Sequence, residues 1–237
     1  MTEAERDSQN QADTDNGNEA DAYTGHVEPD GPWQDRQDGD LFVRKLSVEE
    51  MDNNVYVIAC AVTDTALLVD AAARPDRLRE ALEGFDPVAV VQTHGHWDHV
   101  RAWEDLQRDP GLQVWGHRGD LDLFPGPLDS ELSHGDIIEV GEIEVEVLHV
   151  PGHTDGSLLY LVQGDERPHL FSGDTLFPGG PGNTWGDPER FRQIMDGLER
   201  EVFARLPDET WVYPGHGDDT TLGEERPKIP EWRERGW

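Results

Sequence analysis

Apolar residues in this chain gather into short runs separated by polar turns. "LFVRKL" (41–46), "NVYVIACAV" (54–62) and "ALLVD" (66–70) read as neighbouring strands. The period then changes. "RPDRLREALEGF" (74–85) has proline near its start, apolar residues at helical spacing and Gly84 near its end, which predicts a helix. "PVAVVQ" (87–92) is a buried strand, and "DHVRAWEDLQ" (98–107) begins to read as a helix soon after it. A second half repeats the style. "DIIEVGEIEVEVLHV" (136–150) alternates as a hairpin with Gly141 in its turn, and "SLLYLVQ" (157–163), "HLFSGD" (169–174) and "TWVYPGH" (210–216) are further strands. "DPERFRQIMDGLEREVFARL" (187–206) predicts one long amphipathic helix. Strands first, a helix between strands, then the same order again: this is α/β, with two sheets packed face to face and helices outside. Residues 1–38 are rich in Asp, Glu, Gln, Asn and Gly with almost no aliphatic residues, which predicts a disordered acidic tail ahead of one domain from 39 to 237.

Chemistry sits where the strands end. "LLVD" runs into Asp70, "VLHVPGH" into His153, "LFSGD" into Asp174 and "WVYPGH" into His216. "VVQTHGHWDHV" runs into His94, His96, Asp98 and His99. Rigid strands can deliver side chains from distant sequence to one point, as a metal site requires. Imidazole and carboxylate without thiolate suit zinc, iron or manganese. His94, His96, Asp98, His99, His153, Asp174 and His216 are more ligands than one tetrahedral ion can use. Two divalent ions sharing one carboxylate use all of them and keep positions open, the mark of a catalytic site.

The other histidines read more plainly. His149 lies inside an alternating strand and is expected to pack or face solvent; His26, His134 and His169 are expected to be solvated in the tail, turns or strand edges. His117 follows a strand in "QVWGHRGD" and reads as packing rather than as a ligand. Trp97 lies between ligands and either walls the centre or packs beneath it. Cys60 is the only cysteine, so internal disulfides are excluded, and its apolar setting predicts a packed, unreactive thiol.

Charge narrows the partners. The net charge is −32, from 51 acidic and 19 basic residues, and only Lys45 and Lys228 are lysines. Residues 1–40 hold 12 acids and 2 bases, yet the 39 acids and 17 bases that remain still leave −22. Such a surface repels phosphate backbones, so nucleic acid is not an expected partner. Acid excess spread over the whole chain suits a protein kept soluble in concentrated salt. No apolar stretch is long enough for a membrane span, and "MTEAERDSQN" lacks the features of a secretory signal, so the expected compartment is the cytoplasm. A small-molecule substrate is expected; the oligomeric state is left open.

Together "THGHWDH", "PGHTDGS", "SGDTLF" and "YPGH" resemble the metallo-β-lactamase superfamily over residues 41–220, and within it the glyoxalase II-type (hydroxyacylglutathione hydrolase-like) thioester hydrolases. That resemblance implies an αββα sandwich, with two mixed sheets and helices on the outer faces. It implies that His94, His96 and His153 hold one metal ion, that Asp98, His99 and His216 hold a second, and that Asp174 bridges them. Zinc is the first expectation, iron or manganese the others. Asp70 matches an aspartate that orients the site without ligating, since ligand imidazoles need an acceptor on their other nitrogen. A hydroxide held between the ions and oriented by Asp98 would be the nucleophile. Loop 178–185, with Asn183 and Trp185, would shape the substrate pocket. The glyoxalase II enzymes usually carry Lys or Arg where this chain has Asn183, and 21 residues after His216 are too few for their helical C-terminal domain, so weaker affinity for glutathione thioesters is expected. The alternatives are a mono-iron persulfide dioxygenase, in which Asp98 and His99 would not be ligands, a hydrolase of a lactone, lactam or phosphodiester, and a non-catalytic binding module.

Overall fold

The computed structural model describes residues 23–236. Its first sheet runs in spatial order through β1 (Gln34–Asp38), β2 (Leu41–Val48), β3 (Asn53–Cys60), β4 (Thr65–Val69), β5 (Asp86–Val91), β6 (Gln113–Gly116) and β7 (Ser130–Glu131). The pairs from β1 to β4 are antiparallel and those from β4 to β7 parallel, so the sheet is mixed. The second half of the chain supplies β8 (Ile137–Val140), β9 (Ile143–His149), β10 (Leu158–Gln163) and β11 (Pro168–Gly173). A small β12–β13 hairpin (Leu176–Phe177 and Gly180–Pro181) follows, then β14 (Trp211–Pro214) and β15 (Thr220–Thr221). The second sheet has the order β15-β14-β11-β10-β9-β8 and is antiparallel except for the β11–β14 pair.

Period-two alternation builds three apolar layers from these strands. Tyr56, Ile58 and Cys60 on β3 face Val145, Val147, Tyr160 and Phe171 of the other sheet. The intervening Val55, Val57 and Ala59 pack with Leu78 and Ala81 of helix α1 (Pro75–Ala81) and with Trp103 and Leu106 of α2 (Trp103–Leu106). On the far side Leu148, Leu159 and Leu170 pack against Phe191, Ile194 and Met195 of α3 (Pro188–Gly197). A short α4 (Leu222–Glu225) leads to α5 (Ile229–Arg235), which adds Trp232 to that layer. The order is helix, sheet, sheet, helix. Strands buried on both faces explain the near-continuous apolar runs of the sequence.

Two expectations change. The single helix over 187–206 starts as predicted, with Asp187 accepting the Glu189 and Arg190 amides and Pro188 in its first turn. Past Gly197 it becomes a π-helical stretch, Leu198–Phe203. The boundary at residue 38 also moves. Residues 1–22 of the expected tail lie outside the described residues, but part of 23–38 docks on the domain. Strand β1 pairs along β2, and the Tyr23 hydroxyl donates to Asp219 at 2.6 Å. Lys45 Nζ, fully buried, donates to Gly25 O, Gly217 O and Asp219 Oδ1 at 2.7 Å each. Its ammonium fastens the entering chain to the loop after His216.

Candidate metal centre

The parallel strands β4 and β5, with β9, β11 and β14 of the second sheet, all end at one edge of the sandwich, and their following residues meet there. Asp70 follows β4 with φ of 67°, a left-handed conformation uncommon for a residue with a side chain. Its carboxylate is fully engaged: Oδ1 accepts the Thr93 amide at 2.7 Å, and Oδ2 accepts the Thr93 hydroxyl and His99 Nδ1–H at 2.8 Å each. The Thr93 oxygen, having donated to Asp70, accepts Nδ1–H of His94 at 3.0 Å. His153 Nδ1 donates to Asn183 O at 2.9 Å, and His216 Nδ1 donates to Met51 O at 2.8 Å. Four imidazoles are thus held by Nδ1, which turns Nε2 of each toward the cluster, where those of His99 and His216 lie 3.1 Å apart.

Those Nε2 atoms converge on Asp174. Its carboxylate lies 3.4 Å from His99 Nε2, 3.4 Å from His153 Nε2, 3.6 Å from His216 Nε2 and 4.0 Å from His94 Nε2. Asp98 Oδ2 lies 3.4 Å from His216 Nε2 and 3.7 Å from His99 Nε2. Three sets of donor atoms fall within 4.8 Å of one another: His94, His96 and His153; His94, His99 and Asp174; Asp98, His99 and His216. Nε2 of His94, Nε2 of His153 and Oδ1 of Asp174 are buried without any hydrogen-bond partner. Orphaned buried donors of this kind are costly alone and are satisfied by a divalent cation. The residues fit metal ions.

Electrostatics divide the cluster in two. Burial, helped by neighbouring imidazoles, pushes His94 well below the ordinary histidine range, lowers His96, and takes His153 down to about 4. Neutral rings are what a metal requires. Burial also works against the charged forms of His99 and His216, but carboxylates win: Asp174 and Asp70 hold His99 well up, and Asp174 and Asp98 raise His216 to about 10. Despite its burial, Asp174 is held well below the carboxylate range by His99 and His216. A neutral trio therefore adjoins a carboxylate-rich group, with Asp174 between.

Two positioning groups were not legible beforehand. Asp120, buried in the turn after β6, accepts the Gly95 amide at 2.9 Å, the Thr154 hydroxyl at 2.7 Å and the Gly156 amide at 2.7 Å. It ties the loop bearing His94 and His96 to the loop bearing His153. Asn53 Nδ2 donates to Asp98 Oδ2 at 3.0 Å. Asp120 could have been found by extending the strand-end pattern to "QVWGHRGD"; nothing in the sequence marks Asn53.

His117 and His149 stand apart from the cluster with rings stacked 4.0 Å apart. His26 and His134 are exposed, as expected, but His169 is a correction: it is fully buried, bonded to Asp38 at 2.9 Å and to the Tyr213 hydroxyl at 2.8 Å. Cys60 is buried. Trp97 does not pack beneath the ligands; it is 61% exposed, under the Arg101 guanidinium. Asn183 is exposed, and its side-chain oxygen accepts the Trp185 amide at 2.7 Å while its carbonyl holds His153. No helix among the described residues is long and apolar enough to cross a membrane.

Four layers with this histidine–aspartate edge define a metallohydrolase class. The metallo-beta-lactamase superfamily profile matches residues 48–216, and the chain belongs to that superfamily. It is an enzyme, a hydrolase built for divalent metal. It is 40% identical to a hydroxyacylglutathione hydrolase of Gloeobacter violaceus, over 77% of this chain and 69% of that one. Among solved structures it is similar to ETHE1 from Myxococcus xanthus (TM-score 0.69, 32% identity, 79% of this chain and 83% of that one). It is also similar to TTHA1623 in a di-iron-bound form (TM-score 0.62, 30% identity, 77% and 96%). The chain spans 61% to 69% of the length of several hydroxyacylglutathione hydrolases and hydrolase-like proteins that it matches.

Proposed function

We propose that the protein hydrolyses thioesters at a dinuclear centre, with His94, His96 and His153 holding one ion, Asp98, His99 and His216 the other, and Asp174 shared. The convergence of Nε2 atoms on Asp174, each ring fixed from behind, is the observation that carries this reading. Two divalent cations supply Lewis acidity and a water whose pKa falls from about 15.7 to about 7. The chain supplies the rest. Asp70 fixes His99 directly and His94 through Thr93, so the two ion positions share one anchor. Asn53 orients Asp98, which would hold the second ion and orient the attacking water. A thiolate leaves without an acid partner, because a thiol pKa is only about 8.5. The hydroxyacylglutathione hydrolase names of the relatives support a thioester over a lactone or phosphodiester. The likeness to ETHE1 fits a second reading, a single iron on two histidines and an aspartate, no better than this one, and that reading leaves Asp98 and His99 without a ligand role.

The test is elemental analysis of reconstituted protein with a hydrolysis panel (thioesters, lactones, phosphodiesters, nitrocefin) for the Zn, Fe and Mn forms in high salt. Two ions per chain, both lost in Asp174→Ala and one in His216→Ala, with thioesters preferred, is the expected result. One tightly held iron indifferent to His216→Ala would refute the dinuclear reading.

A further inference from the structure

Seven large hydrophobic residues are exposed among the described residues; one of them, Trp185, touches ligand rings, and three others, Met51, Trp97 and Leu123, belong to segments that flank ligands. Trp185 is 59% exposed, and its ring lies 5.2 Å from His153 and 5.4 Å from His96. It is held there with φ of 54°, its amide bonded back to Asn183. A bulky residue in that conformation costs energy, and such strain collects where a side chain must be aimed. Leu123 is half exposed and lies against Gly95, between two of the ligands. Met51, whose carbonyl holds His216, and Trp97, next to Asp98, together line a cavity of about 500 Å³.

The loop that carries Trp185 offers no charge to a carboxylate-bearing substrate. Residues 175–186 carry no charged side chain, in a chain that is 30% charged. The cavity beside Trp97 contains Arg74 and Arg101, but both are already neutralised. Arg74 pairs with Asp30 at 2.9 Å, and Arg101 pairs with Glu49. Glu50 adds a further negative charge to the lining. An apolar rim interrupting so acidic a surface marks a binding site.

Resting on the thioester reading, we infer that Trp185, Trp97, Met51 and Leu123 form an apolar recognition rim, and that the preferred substrates are thioesters of apolar acyl groups on an uncharged thiol. Trp185 adjoins His96 and His153, so an acyl chain leaving the centre on that side meets its indole first. A thiol bearing two carboxylates, such as glutathione, meets only the already paired Arg74 and Arg101 in the cavity beside Trp97.

The test uses the full chain, zinc-loaded in about 2 M KCl to screen its charge, with acetyl, butyryl and hexanoyl thioesters of N-acetylcysteamine and with lactoyl-glutathione. kcat/KM rises about two- to four-fold per methylene, as for a CH2 partly or fully buried. The hexanoyl thioester exceeds lactoyl-glutathione. Trp185→Ala lowers the hexanoyl-to-acetyl ratio about tenfold, mainly through KM, as removal of roughly 50 Å² of apolar contact predicts. Val62→Ser, an exposed apolar change in the β3–β4 turn at the opposite sheet edge, leaves the ratio unaltered. Calorimetry with the non-hydrolysable thioether S-hexyl-N-acetylcysteamine gives binding about tenfold weaker in Trp185→Ala. A flat acyl series with thioether affinity unchanged in Trp185→Ala, or a preference for lactoyl-glutathione, overturns the rim and leaves thioester hydrolysis standing. Thioether binding that depends on Trp185, with no thioester turned over, supports the rim and overturns thioester hydrolysis instead.

Discussion

Replacing Asp120 by Asn keeps the side chain's shape and removes one acceptor. The carboxylate takes three hydrogen bonds, two on Oδ2 (Gly95 and Thr154) and one on Oδ1 (Gly156). An amide set with its oxygen toward Gly95 turns NH2 against the Gly156 amide; set the other way, it faces Gly95. Either way one buried N–H loses its partner, at about 1–3 kcal/mol. Because the lost bond joins the His94/His96 loop to the His153 loop, much of that cost falls on ligand placement. Outer groups of this kind change metal affinity about 10- to 100-fold, equivalent to roughly 1.4–2.7 kcal/mol, which overlaps the hydrogen-bond figure. The assay is chelator competition for both ions beside thermal melting, with Asp38→Asn as the comparison. Asp38 is also buried and accepts from Glu166, Arg167 and His169, far from the centre. Both variants should lose stability, and only Asp120→Asn should lose metal affinity. Equal affinities in the two variants would show that Asp120 is merely structural.

Three further outcomes are expected. In Gly215→Ala the new methyl collides with Asp174 Oδ1 and comes within 3.0 Å of His99 Cε1, so elemental analysis should find both ions depleted in a protein that still melts cooperatively. Cys60→Ala, at a buried thiol outside the centre, should keep its kcat and cost about 1 kcal/mol in a denaturant titration; lost activity would place a thiol in the mechanism. The melting temperature should climb between 0.1 and 3 M KCl, because the Debye length falls from about 10 Å at 0.1 M to about 3 Å at 1 M around a chain of net charge −32. A flat melting temperature would remove the argument for concentrated salt.

Much of the site was legible because buried strands show as apolar runs and their ends as sudden polar residues. That rule located Asp70, the 94–99 motif, His153, Asp174 and His216. It failed wherever a polar residue is buried by a partner distant in sequence. His169 looked like a solvated edge residue, since neither Asp38 nor Tyr213 is near it in the chain. Residues 23–38 looked disordered by composition, yet Tyr23 and β1 dock on the rest of the fold, and the ion pair of Lys45 with Asp219 helps hold that end. The long helix was legible, but not its change of pitch after Gly197, a residue that lies against Val150.

The one-turn 3₁₀ segment Trp97–His99 lets a stretch of six residues, 94–99, present four donors. That economy has a thermodynamic side. Unfolding scatters His153, Asp174 and His216, but it leaves His94, His96, Asp98 and His99 tethered as neighbours. The denatured chain is therefore itself a chelator. Metal bound to the unfolded state subtracts from the stabilisation given by metal bound to the folded one. Added metal should raise the unfolding free energy by less than its native-state affinity implies, and a peptide of residues 90–101 should hold the ion on its own, though more weakly.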